Sequence, residues 1–487
     1  MLGHDQFTPE QRVVSAKLKL DRLERDLKQI FRRASKDKAI AQIMLWHKKA
    51  NGFLHSPPHL VDQLVCAAAA YGSDSTTQEL KSSRFSAAVR ACLEVGNPAH
   101  MIWLDRTDGL EMLMPVIYRE QVQLQLNANN SIYARLYNLY IELLDVQARL
   151  RIESSLGANL LGLIHASYFL SVVSLMPLRA NGNLHLIGVN AIEAYEQTKL
   201  AAGGLDDLLR LFKMPVNDFG ELYKKRRKDL VSKEYARSLK PLLLDNPLLE
   251  LSSKNSIMPL PNTLPFSLHW LIGDKAREGH SSIQFSNSFA NYTRKVVDSL
   301  APLVMRKPDE EDHNGRRCDI LAVFEDWDLL IECKATRFKR NIITPESIVQ
   351  DTSTGKIVSA CEQLAMTVDD GREHVSAVVL DDSLAVPNSD WYWELIFERF
   401  PGTQDHVRTI GHRPHIWSLE VLEGIVEVCL ATGISIPDLV IKYQEQPYHV
   451  HGEWDTWLSR FRKEFHTETP VEMLDWKQAC VDDYFLI

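Results

Sequence analysis

The stretch 317-RCDILAVFEDWDLLIECKAT-336 restricts what this chain can fold into more than any other. Two apolar runs flank a short acidic patch, Glu325, Asp326 and Asp328, which is the pattern of two strands joined by a tight turn. With the turn centred on Glu325 and Asp326, cross-strand partners have residue numbers that sum to 651. Asp319 then faces Glu332, with Cβ atoms about 5 Å apart. The two-residue side-chain period puts Lys334 on the face of Glu332, one pleat along. Carboxylates opposed in this way destabilise a sheet and raise a carboxyl pKa unless positive charge lies between them. A divalent cation meets that need: Mg²⁺, with Mn²⁺ as its substitute, is held by one or two carboxylates together with waters and substrate phosphates. A lysine beside such a pair can orient or help deprotonate a nucleophilic water and stabilise charge on a phosphate in flight. The hairpin therefore has the makings of a phosphodiester-hydrolysis site.

The rest of the chain falls into two textures. Thr8-Pro9-Glu10-Gln11 has the form of a helix start, and Leu20, Leu23, Leu27 and Ile30 recur after it at helical steps. Residues 132–152 repeat the pattern, and the spacing predicts an all-helical region over 1–240. Pro247, Pro259, Pro261 and Pro265 interrupt the following run, so residues 241–270 read as a proline-rich linker. Residues 271–487 then alternate. A helix is expected over 286–301, a short strand near 303–305, the hairpin, a helix over 355–368, a strand at 374–380, a helix at 390–400 and a strand near 414–422. That order describes an α/β unit with a mixed sheet, and the whole an α+β multidomain chain.

Bulk chemistry narrows the function. Residues 1–260 hold 33 Lys and Arg against 27 Asp and Glu, and the remainder holds 22 against 37, which permits a local basic footprint but not a coat of nucleic acid. Seven cysteines lie far apart with no C-x-x-C pair, so neither a disulfide framework nor a thiolate zinc site is indicated and a reducing, cytoplasmic setting is expected. The opening residues show no signal peptide. The charge-free run 156–178 is long enough to span a bilayer, yet Asn159, His165, Ser167, Ser171 and Ser174 dilute it, so a buried helix is expected and a membrane is not. His412, His415, His449 and His451 cluster without a matched acid or cysteine and read as ordinary polar histidines. No glycine-rich phosphate loop, G-x-S-x-G elbow or thiol-protease signature is present.

Asp319, twelve residues, then Glu332-Cys333-Lys334 between two apolar strands resembles the PD-(D/E)xK nuclease superfamily, with its restriction-endonuclease-like fold. The resemblance covers about residues 280–425. It implies that Asp319 and Glu332 ligate the metal, that the Cys333 backbone carbonyl adds a ligand and that Lys334 handles the nucleophilic water. Gln363, in 360-ACEQL-364, matches the glutamine some members place on the next helix. Cys318 stands where the motif's name has proline. Many members carry a further glutamate on the preceding helix, where this chain offers Ala290 and Asn291. The triplet by itself has little specificity, since Glu79-Leu80-Lys81 and Asp475-Trp476-Lys477 match it too, but neither lies on an apolar strand paired to an acid-bearing one.

Two basic tracts could grip phosphates: Lys224, Lys225, Arg226 and Arg227, and, just after the catalytic strand, Arg337, Lys339 and Arg340. The resemblance thus implies a metal-dependent DNA endonuclease of the kind used in bacterial restriction or antiviral, anti-phage defence, acting as a homo-oligomer or with a partner subunit. The alternative is a degenerate nuclease fold that serves as a nucleic-acid-binding or assembly subunit.

Overall fold

The structure, a computed structural model, describes residues 9–49, 58–95, 130–175, 189–229, 242–252, 254–260, 263–311, 317–338, 345–369, 371–381, 390–445, 454, 457, 458, 461 and 473–485. The chain forms two compact units, one of Met1–Tyr133, Glu153–Asp274 and Val481–Ile487, the other of Ala134–Ile152 and Lys275–Cys480.

The first unit is mainly helical. Helices Pro9–Phe31, Lys36–Lys49, Pro58–Tyr71, Ser82–Val95 and Val216–Asp229 share one core. On the first of them the expected stripe buries Leu23 and Leu27 and packs Ile30 at the margin. Helix Leu160–Leu175 is mostly apolar and buries even His165, Ser167 and Ser171, so it has no wet face of the kind an amphipathic helix shows. A Cβ on Gly204 would lie 2.1 Å from the Gly162 carbonyl oxygen, so glycine is what lets helix Gly204–Phe212 approach it. No single described helix is long and apolar enough to cross a membrane.

Residues expected to link two halves belong to this unit's packing. Strands β1 (Lys213–Pro215), β2 (Leu248–Glu250) and β3 (Ser256–Ile257) form a small sheet, with β1 parallel and β3 antiparallel to β2. Leu242, Leu243, Leu244, Leu249 and Ile257 are buried in the core. The prolines punctuate elements rather than loosen a tether: Pro247 precedes β2, and Pro265 sits in the first turn of helix Thr263–Ala276, where its missing N–H costs nothing. Apart from the three-residue β1, the described elements before 240 are helical, as expected.

The second unit is built on a five-stranded mixed sheet in the order β4-β5-β6-β7-β8: Val304–Arg306, Ile320–Val323, Trp327–Lys334, Glu373–Leu380 and His415–Ser418. β4, β5 and β6 run antiparallel, while β7 and β8 continue parallel to β6. Helix Ser281–Asp298 packs on one face of β6 and helix Thr352–Ala365 on the other. The strand expected near 414–422 ends at Ser418, whose hydroxyl accepts the Val421 N–H at 3.1 Å and starts helix Leu419–Thr432. Apolar residues at helical spacing, Leu419, Leu422, Ile425 and Val426, then bury that helix against β7 and β8.

Candidate active site

The hairpin has the register read from the sequence: Ile320 pairs Ile331 and Val323 pairs Asp328, each pair summing to 651. Phe324 and Trp327 close the two-residue turn, their backbone bond 2.9 Å long and their rings stacked at 4.1 Å. Arg372 anchors the turn end by donating to Asp328 at 3.0 Å and to the Phe324 carbonyl at 2.7 Å.

At the other end the regular ladder stops at Ile320, and the two acids take over the pairing. The Asp319 N–H donates to Glu332 Oε2 at 3.1 Å, and the Cys333 N–H donates to Asp319 Oδ2 at 2.7 Å. Each carboxylate thus caps the opposite strand. Because a strand residue's N–H and C=O point to the same side, the Cys333 carbonyl also faces the Asp319 edge. Lys334 Nζ donates to Glu332 Oε1 at 2.6 Å and to Gln363 Oε1 at 2.7 Å. Gln363 Nε2 reaches back to the Arg317 carbonyl at 3.4 Å. Asp319, Glu332, Lys334 and Gln363, drawn from β5, β6 and helix Thr352–Ala365, are therefore one hydrogen-bonded cluster.

Its electrostatics are strained. Glu332 is almost wholly buried, and desolvation, followed by the charge of Asp319, pushes its carboxyl well above the usual range against the pull of Lys334. Asp319 is raised too, first by burial, with the Cys333 N–H and Lys334 opposing and Asp309 adding to the rise. A buried and a half-buried carboxylate, with one lysine bonded to the former, fit a divalent cation, since a second positive charge would relieve both desolvation and repulsion. Asp319 and Glu332 would hold it, with the Cys333 carbonyl on the same edge. Among the described residues no group of three or more His, Cys, Asp or Glu side chains gathers as a metal site.

The helix Ser281–Asp298 turns Phe289, Tyr292, Thr293 and Val296 inward, and Asn291 is exposed, so no acid comes from that side. Asp309, on the short helix Pro308–Glu311, was not singled out by sequence reasoning; it sits in the acid run 308-PDEED-312, which gives no periodicity to mark one member. Arg277 was missed for the same reason. It donates to the Ala335 carbonyl at 3.1 Å, just past β6, and is ion-paired with buried Asp381 at the end of β7.

The basic tracts fare differently. Lys339 and Arg340 lie outside the described residues, while Arg337 is half-buried and its carbonyl accepts the Ser353 hydroxyl at 2.9 Å. In the first unit Lys224 pairs with Glu221 at 2.6 Å and Arg226 with Asp245 at 3.3 Å, Lys225 is exposed, and the Arg227 side chain lies outside the described residues. His449 and His451 also lie outside them, whereas His412 and His415 are drawn into the second unit near β7 and β8, where burial holds both rings neutral. No protein-family model, no curated protein and no solved structure matches the chain.

Proposed function

We propose that the second unit is a metal-dependent nuclease that hydrolyses DNA phosphodiesters at the β5–β6 edge, in the manner of the PD-(D/E)xK superfamily that its motif resembles. One observation carries the reading: Asp319, Glu332 and Lys334, with Gln363 behind the lysine, meet through bonds of 2.6–3.1 Å where two acids oppose each other across the β5–β6 strand pair.

The chain's own groups divide the work. Asp319 and Glu332 are fixed by the backbone N–H groups of the opposite strands, so their free lone pairs keep a set direction and need no reorganisation when charge arrives. When bound, Mg²⁺ or Mn²⁺ would supply Lewis acidity at a phosphate oxygen and a more acidic water. Lys334, held on two sides by Glu332 and Gln363, presents its remaining N–H to the reacting phosphate, where it orients the attacking water and offsets charge on the phosphoryl oxygens. Gln363 is a positioning residue that acts through the lysine.

Purified protein with Mg²⁺ should nick or linearise supercoiled plasmid. Asp319→Ala, Lys334→Ala and EDTA should each abolish this, and Gln363→Ala should reduce it by a smaller factor. Cleavage that survives Asp319→Ala would remove the site from consideration.

A second reading, a binding or assembly protein on a degenerate nuclease fold, draws support from the inward face of helix Ser281–Asp298, which offers no acid. Calorimetric titration with Mg²⁺ separates the two: heat that depends on Asp319 favours the enzyme, and its absence favours the binding protein.

A further inference from the structure

Helix Thr352–Ala365 brings Gln363 to Lys334, which fixes the face it turns toward the site. Lys356 lies seven residues earlier, two turns toward the helix N-terminus on that same stripe. The separation along the axis is about 10 Å. Lys356 is exposed, and among the described residues no carboxylate stands within ion-pair distance of it. Its surroundings are positive: partial desolvation by the neighbouring side chains and then the charges of Arg277 and Lys334 hold its ammonium below the ordinary lysine value, with only the helix-capping Asp351 acting the other way. The neighbouring Gly355 is also unexplained by packing. A Cβ there would meet nothing within 4 Å, yet glycine inside a helix costs about 1 kcal/mol relative to alanine. An unpaired lysine among like charges, beside a helix surface kept bare, is the arrangement an anionic chain in close approach would reward.

We infer that Lys356, with the bare surface at Gly355, grips a backbone phosphate of duplex DNA flanking the scissile one. This rests on the nuclease reading above and adds the path of the substrate: from Lys334 the strand runs along helix Thr352–Ala365 toward its N-terminus. The axial distance of about 10 Å corresponds to about three nucleotides of one strand. Lys356 therefore acts on binding, and the chemical step stays with Lys334.

The test is fluorescence anisotropy with a labelled 25-base-pair duplex in Ca²⁺ buffer, over a salt series, paired with Mg²⁺-dependent plasmid cleavage. Lys356→Ala should weaken binding about tenfold near 0.1 M salt and lower the log–log salt slope by about one, as loss of a single phosphate contact does. It should raise KM while leaving kcat within about twofold, and Lys356→Arg should restore most of the affinity. Lys275→Ala, which removes a surface lysine paired with Glu278, serves as the control for charge alone. Wild type that binds and cleaves, with Lys356→Ala no different from Lys275→Ala, overturns the phosphate grip and leaves the nuclease standing. Wild type that neither binds duplex nor cleaves plasmid overturns both.

Discussion

Asp319 and Glu332 are two residues this fold would hold more firmly without their charges. Burial raises both carboxyls, and the charge of Asp319 adds to the difficulty Glu332 has in ionising. A carboxyl raised in the folded state keeps its proton longer than in the unfolded chain. Its contribution is therefore present below the unfolded value and is lost as pH climbs from the ordinary carboxylate range toward neutrality. In EDTA, wild type should lose stability over that climb. Asp319→Asn keeps an oxygen for the Cys333 N–H but removes the opposing charge, so it should gain about 1 kcal/mol at pH 8 while losing cleavage. Mg²⁺ at a hundred times its Kd should return about 2.7 kcal/mol to wild type and nothing to the variant. Urea unfolding at pH 5 and pH 8, with and without Mg²⁺, reads all of this; a variant weaker than wild type in EDTA at pH 8 would contradict it. The pair itself was legible because period-2 alternation and a two-residue turn leave only one register. Asp309 and Arg277 were not legible, since they come from a short helix and a helix end that carry no motif.

At the scale of elements, the site depends on how strand and helix ends are tied. Arg277 holds the end of β6 through the Ala335 carbonyl and the end of β7 through Asp381, whose side chain is fully buried. Arg277→Ala would leave that carboxylate buried without its guanidinium, at a cost of about 3–5 kcal/mol. Replacing both partners, Arg277→Met with Asp381→Leu, should recover most of the loss, because no uncompensated charge remains. Thermal unfolding of the two variants decides it: equal Tm values would show that the ion pair is not what the single change disrupts. Asp351 plays the corresponding part for the helix that carries Gln363 and Lys356, accepting the Ser353 N–H at 2.8 Å, and Asp351→Ala should cost about 1 kcal/mol. The helix and strands flanking the hairpin were readable from their periodicity. Two elements depart from their sequence pattern: at 414–422 a serine cap turns the apolar run from strand to helix, and within 241–270 prolines mark element ends instead of a tether.

Across the whole molecule, the feature least visible in the sequence is a charge buried between segments far apart in it. Glu423 accepts from Arg135 Nε at 2.8 Å and Nη2 at 2.6 Å, from Tyr292 at 2.6 Å and from Lys477, joining residues 134–152 and the 473–480 stretch to the sheet unit. Burial would raise the Glu423 carboxyl, but Arg135 and Lys477 hold it down to about 2. No local pattern announces such a contact, so the discontinuous makeup of this unit could not be read from spacing. The cluster also sets the order of acid unfolding. Glu423 supports the fold above its unfolded value of 4.5 and is lost only as pH falls toward about 2. His415 fails earlier. Buried and stacked at 5.6 Å on Trp417, with His412 beyond it and Trp454 edge-on, it is lowered first by desolvation and then by His412, to about 3. The unfolded chain takes a proton near 6.5 that the folded one refuses, so stability is whole above 6.5 and falls as pH drops toward about 3. Between pH 6.5 and pH 5 this histidine alone should remove about 2 kcal/mol. His415→Phe keeps the stacking and abolishes the titration, so urea curves followed by the fluorescence of Trp417 and Trp454 should flatten by that amount across the same interval. A variant whose slope matches wild type would shift the cause to His412, whose ring is lowered to about 4.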